Sequence, residues 1–124
     1  MPDQKPVVYI IDDDPSVRCG FKRLMNADGY DARLFASARE FIASGIPGAD
    51  SCLIIDFAMP DMDGLELKAA LDQAGCKAPV ILVTALIDAA IRERAKHAGV
   101  VGFFQKPVDA AALLDAIKWA MAAG

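Results

Sequence analysis

Four short apolar runs in this 124-residue chain each lead to a residue that can do chemistry. Val7-Val8-Tyr9-Ile10-Ile11 is followed by Asp12-Asp13, Leu53-Ile54-Ile55 by Asp56, and Val80-Ile81-Leu82-Val83 by Thr84; Val100-Val101-Gly102-Phe103-Phe104 leads through Gln105 to Lys106. Short runs rich in β-branched residues, separated by helix-like patterns of about ten to fifteen residues, predict repeated βαβ units and a parallel sheet. Strands in such a sheet all end at one edge, so the four polar stations meet there. A packed core has no use for clustered carboxylates, a hydroxyl and an ammonium.

Five strand–helix pairs are predicted, with strands over 7–11, 31–35, 51–55, 79–84 and 100–104. Asp14-Pro15 reads as an N-cap with proline at the first helical position, and Val17, Phe21, Leu24 and Met25 form one apolar face of the first helix. Ser37 and Glu40 have capping-box spacing ahead of a short second helix that stops near Gly45-Ile46-Pro47-Gly48. In the third helix Leu67, Ala70, Leu71 and Ala74 recur at helical spacing, and Gly75 closes it. In the fourth, Asp88 caps a face of Ile87, Ile91, Ala95 and Ala98, with Arg92, Glu93, Arg94 and Lys96 outward and Gly99 at its end. Leu113, Leu114, Ile117, Ala120 and Met121 face inward from the fifth. The second strand alternates Asp31 and Arg33 with Ala32 and Leu34 and belongs at an edge, whereas the third is almost wholly apolar and central. With right-handed crossovers, the expected order is 2-1-3-4-5.

Length permits one domain, spanning 1–124. A formal net charge of −4 and scattered basic residues argue against direct nucleic-acid binding. Met1-Pro2-Asp3-Gln4-Lys5 lacks a signal core and no run has membrane-spanning length, so a cytoplasmic protein with no membrane contact is expected. Cys19, Cys52 and Cys76 lack metal-ligand spacing and read as reduced thiols. Trp119 and Phe21 read as core or helix-face packing, His97 as a surface or capping histidine, and Arg92-Glu93-Arg94-Lys96 first as a solvated face.

Asp12, Asp13 and Asp56 at one sheet edge repel, by roughly 4 kcal/mol for two carboxylates about 4 Å apart at an effective dielectric of 20. A divalent cation held by oxygens relieves this, and the pattern suits magnesium better than calcium. Asp61-Met62-Asp63-Gly64 resembles part of a calcium loop, yet the first ligand position would fall on Met59 and the twelfth on Ala70. One carboxylate, Asp56, is placed to attack phosphorus, with Lys106 and the Thr84 hydroxyl reaching other phosphoryl oxygens.

Ile10-Ile11-Asp12-Asp13-Asp14, Ile55-Asp56-Phe57-Ala58-Met59-Pro60-Asp61-Met62-Asp63-Gly64, Val83-Thr84-Ala85 and Phe104-Gln105-Lys106-Pro107 together resemble the receiver domain of two-component response regulators, the CheY-like superfamily, over essentially the whole chain. The resemblance implies an α/β, flavodoxin-like (βα)5 doubly wound sandwich and phosphoryl transfer from a histidine kinase phosphohistidine to Asp56. It implies Mg2+ held directly by Asp13, Asp56 and the Ala58 backbone carbonyl, and by Asp12 through water. It also implies a Thr84–Phe103 switch that reshapes the face of the fourth helix, fifth strand and fifth helix, and a cis Lys106-Pro107 bond. Partners implied are a cognate histidine kinase, an output domain or effector, and a homodimer through the switching face. The station spacing most resembles receivers that precede a helix-turn-helix domain, hence transcription regulation. Ala58 and Leu86 flank the water's approach with apolar side chains, so slow hydrolysis of the acyl phosphate is expected.

Such a protein takes part in its own phosphoryl transfer and is not a turnover enzyme. Two other functions compete with the switch. A haloacid-dehalogenase-like phosphatase needs an acid two residues past its nucleophile; Ala58 stands there after Asp56, and although Asp14 lies two after Asp12, the chain is too short for a substrate cap. A degenerate interaction module would have lost the reactive aspartate or the lysine, and both are present.

Overall fold

The β-branched runs pair as five parallel strands, and the computed structural model describes residues 5–48 and 50–123. In chain order the elements are β1 (Val7–Ile11), α1 (Pro15–Ala27), β2 (Asp31–Phe35), α2 (Ala38–Ala43), β3 (Ser51–Asp56), α3 (Gly64–Gln73), β4 (Val80–Thr84), α4 (Ala89–Ala98), β5 (Gly102–Gln105) and α5 (Ala110–Ala123). The sheet order is β2-β1-β3-β4-β5, as the strand polarity predicts. β3 is buried along its whole length and β2 is an edge strand without a fully buried residue. The N-terminal reading of residues 1–4 lies outside the described residues.

The sheet separates two apolar clusters. Ile11, Phe41, Leu53, Ile55, Leu67, Leu71, Leu82 and Ala95 lie in one, joined by half-buried Phe57 and Phe103. Val8, Ile10, Met25, Ile54, Ile81, Val83, Leu113 and Ile117 lie in the other, joined by half-buried Phe21 and Phe104. This is the two-sided burial that makes parallel strands continuously apolar.

Register brings the stations together. Ile11 pairs with Ile55, so Asp12 follows at the level of Asp56 on the neighbouring strand. Asp56 pairs with Val83 and Thr84 with Gln105, and the Lys106 amide donates to the Thr84 carbonyl at 2.8 Å. Lys106-Pro107 is cis.

Three local readings need correction. Trp119 is 78% exposed on α5 and belongs to neither cluster, because Leu113, Ile117 and Ala120 already define that helix's buried stripe. β5 begins at Gly102, not at residue 100. α4 ends in the left-handed Gly99 (φ 78°), and Val100 and Val101 serve to carry the chain back to the sheet, with Val101 exposed. At α2 the capping box is incomplete: the Glu40 amide donates to Ser37 Oγ, but Glu40 Oε1 accepts from Ala36 and not from Ser37. The complete box is on α3, where Asp63 and Glu66 exchange bonds of 2.8 Å each. Of the thiols, Cys19 is exposed and Cys52 and Cys76 are buried, all three free. No helix among the described residues is long and apolar enough to cross a membrane.

Candidate functional site

Each acid at the sheet edge is placed by the strand it leaves. Asp12, 1% exposed, follows β1; its Oδ1 accepts from the Asp14 amide at 2.9 Å and its Oδ2 from Lys106 Nζ at 2.8 Å. Asp13 is exposed at the mouth. Asp56, the last residue of β3, is 4% exposed, and its Oδ1 lies 3.2 Å from Lys106 Nζ. Carboxylate oxygens of Asp12, Asp13 and Asp56 all come within 4.8 Å of one another. Asp14 is the N-cap of α1, its Oδ1 accepting from the Ser16 amide at 2.9 Å.

The charges at this edge do not cancel. Among the described residues the three clustered carboxylates face the single ammonium of Lys106, and this imbalance adds to the effect of burial on Asp56. Burial, then the charge of Asp12, push its carboxyl up to about 6, against the opposing pull of Lys106. Burial by itself would lower the Lys106 ammonium, but its bond to Asp12 and the charges of Asp12 and Asp56 outweigh that and raise it. An oxygen-only, acid-rich cluster with a surplus of negative charge fits a hard divalent cation such as magnesium.

Thr84, 2% exposed, ends β4 with its hydroxyl engaged by the following loop. It donates to the Leu86 carbonyl at 3.1 Å and accepts from the Leu86 amide at 3.3 Å. Phe103 is half-buried against the cluster that holds Leu82 and Ala95, with the Arg92 guanidinium 6.0 Å from its ring centroid. Ala58 is exposed in the loop two residues beyond Asp56. The structure thus brings Asp12, Asp13, Asp56 and Lys106 into one cluster and sets Thr84 on the adjacent strand end.

Sequence reading missed three contributors. Arg18, one turn into α1, donates through Nη1 to the Asp12 carbonyl at 2.6 Å and pins the acidic loop. Gly64 lies so close to Asp56 that a Cβ would stand 2.7 Å from the Asp56 carbonyl oxygen. Arg94 on α4 pairs with Asp63 at 3.2 Å and covers the Phe57 ring at 5.6 Å. No local pattern points to Arg18 or Arg94. Asp63, followed three residues later by Glu66, did carry a readable capping signal, and that signal would have marked Gly64 as the first residue of α3.

Comparison with known proteins agrees with this fold. A family model described as the response regulator receiver domain matches residues 8–118. The chain is 36% identical over 115 residues to the transcriptional regulatory protein TdiR of Thauera aromatica, covering 93% of this chain and 51% of that protein. It is 34% identical over 118 residues to the transcriptional regulatory protein FixJ of Azorhizobium caulinodans, covering 95% and 56%. It superposes on the crystal structure of FixJ-N with a TM-score of 0.86 at 30% identity, covering 98% of this chain and 96% of that one. The chain spans about half the length of the curated relatives it matches.

Proposed function

The chain belongs to the response regulator receiver domain family, and from that premise we propose that it accepts a phosphoryl group from a histidine kinase onto Asp56. The observation that carries this reading is the Lys106 ammonium held between Asp12 (2.8 Å) and Asp56 (3.2 Å), two of three clustered carboxylates. A carboxylate oxygen of Asp56 attacks phosphorus, the P–N bond of the phosphohistidine breaks, and its electron pair leaves with the imidazole. An acyl phosphate results. Asp12, Asp13, Asp56 and the Ala58 carbonyl would hold Mg2+, which when bound neutralises charge shared between the carboxylate and the phosphoryl oxygens.

Lys106 exchanges its contact with Asp56 for a phosphoryl oxygen. The Thr84 hydroxyl turns to another and gives up Leu86, on both the carbonyl and the amide. That frees the loop ahead of α4 and the space into which the Phe103 ring turns, so the α4-β5-α5 face changes shape. Val101 just before β5 and Trp119 on α5 are each exposed, apolar surface on these elements for an output domain, an effector or a second copy. Control of transcription through a following domain is part of the proposal, supported by relatives that are transcriptional regulatory proteins about twice as long.

Incubation with acetyl phosphate and Mg2+ is expected to add one phosphoryl group to the intact mass, and chelation of the metal to prevent it. No gain at saturating Mg2+ refutes the proposal. After removal of the donor, the modified form is expected to outlast a few seconds, because Ala58 and Leu86 offer an attacking water no polar side chain; following the intact mass with time measures this.

A further inference from the structure

We infer that Arg94 latches α4 to the loop behind Asp56, holding the helix in its resting position until Asp56 is modified. This rests on the phosphoacceptor reading above and concerns how the event at Asp56 reaches α4.

One end of the latch is stiff. The loop from Phe57 to Asp63 closes on itself through the Gly64 amide, which donates to the Phe57 carbonyl at 2.8 Å. Phe57 is also tied to β4, its amide donating to the Val83 carbonyl at 2.8 Å. Gly64 packs directly on the Asp56 backbone, and Asp63 is fixed by its reciprocal bonds with Glu66. The loop therefore moves as one piece with the residue that carries the phosphoryl group.

The other end is loosely held. Among the described residues of α4 only Ala95 is buried, whereas α3 buries Gly64, Leu65, Leu67 and Leu71. Few buried apolar contacts mean a low cost of displacement. The segment leading into α4 is fastened at Leu86 by the Thr84 hydroxyl, the contact that phosphorylation would withdraw.

Arg94 spans the two. Its Nη2 lies 3.2 Å from Asp63 Oδ2, and its guanidinium lies 5.6 Å from the Phe57 ring centroid, so one side chain grips both a fixed carboxylate and a fixed ring. Moving α4 strains or breaks both contacts, which makes them part of what the resting state has and the switched state lacks. Removing them shifts the equilibrium toward the switched form, and any ligand that prefers that form must then bind more tightly.

The test is binding of beryllofluoride with Mg2+, an acyl-phosphate mimic, measured for the unaltered protein and three variants beside their thermal melting. Arg94→Gln is expected to tighten binding about fivefold, the scale of one exposed ion pair plus one cation–ring contact. Asp63→Asn keeps the helix cap, since asparagine caps as well as aspartate, and is expected to tighten it about twofold through loss of the ion pair alone. The double variant should bind no tighter than Arg94→Gln. Unchanged or weaker binding in Arg94→Gln, whatever its melting temperature, overturns the latch. Absence of binding to the unaltered protein removes the phosphoacceptor reading itself, a different result.

Discussion

Asparagine in place of Asp56 is expected to abolish phosphoryl uptake outright and, at neutral pH without divalent metal, to stabilise the fold. An amide is no nucleophile toward phosphorus, so intact mass after acetyl phosphate treatment should show no gain. The stability effect follows from the burial of Asp56 first and from the charge of Asp12 second. Asp56 titrates near 6 in the folded protein against an ordinary value of 3.8. A raised carboxyl contributes stability that is fully present below the ordinary value and lost as pH climbs through about 6. Above that pH the ionised group costs the metal-free fold on the order of 2–3 kcal/mol, at about 1.4 kcal/mol per pH unit of displacement. The Asp56→Asn protein should escape this loss, with Lys106 still paired to Asp12. Urea denaturation between pH 4 and about 8 should therefore show declining stability in the unaltered protein and a flatter profile in the variant. Saturating Mg2+ should restore the former and leave the latter nearly unmoved. Equal pH profiles for the two would contradict the account.

Gly64→Ala is expected to destabilise the protein by about 3 kcal/mol and to slow phosphorylation by at least about tenfold. A methyl group here meets the Asp56 carbonyl oxygen at 2.7 Å, Leu82 Cδ1 at 2.8 Å and Ile55 Cγ2 at 3.1 Å. Leu82 is fully buried and has little room to yield, and the oxygen belongs to the backbone of Asp56, so it cannot give way without displacing the residue that carries the reacting carboxylate. Gly20, inside α1, provides the control, since nothing lies within 4 Å of a Cβ there. Gly20→Ala should stabilise by about 0.5–1 kcal/mol through helix propensity and leave phosphorylation unchanged. Denaturant titration and the rate of mass gain with acetyl phosphate distinguish the two variants.

Much of this architecture was readable in advance because it follows from short-range pattern. Continuous apolar runs specified parallel strands buried on both faces, and the polar alternation of Asp31 and Arg33 specified the edge. From strand order alone the four stations converge, and the register of Ile11 on Ile55 and Thr84 on Gln105 realises it. What stayed hidden depends on contacts distant in sequence. Arg94 and Asp63 are 31 residues apart, and nothing in a charged helix face says which of its cations reaches across to a neighbour. Gly64 reads as an ordinary helix start until the fold lays it against β3. Trp119 misled because a large aromatic residue is buried more often than not, whereas the stripe around Leu113 and Ile117 had already taken the inward positions. The capping signal at Ser37 was half right since spacing fixes which side chain can reach the N3 amide but not whether the return bond closes.

The sheet that divides the two apolar clusters also divides labour. Adjacent residues of one strand, Phe103 and Phe104, point into opposite compartments. The proposed rearrangement of α4 and Phe103 would therefore disturb directly only the compartment that holds Leu82 and Ala95, while Met25 of α1, packed in the other compartment, stays shielded from it by the sheet, like the fixed half of a motor. A donor protein that grips α1 would meet nearly the same contour before and after transfer, while a listener on α4 would feel the difference.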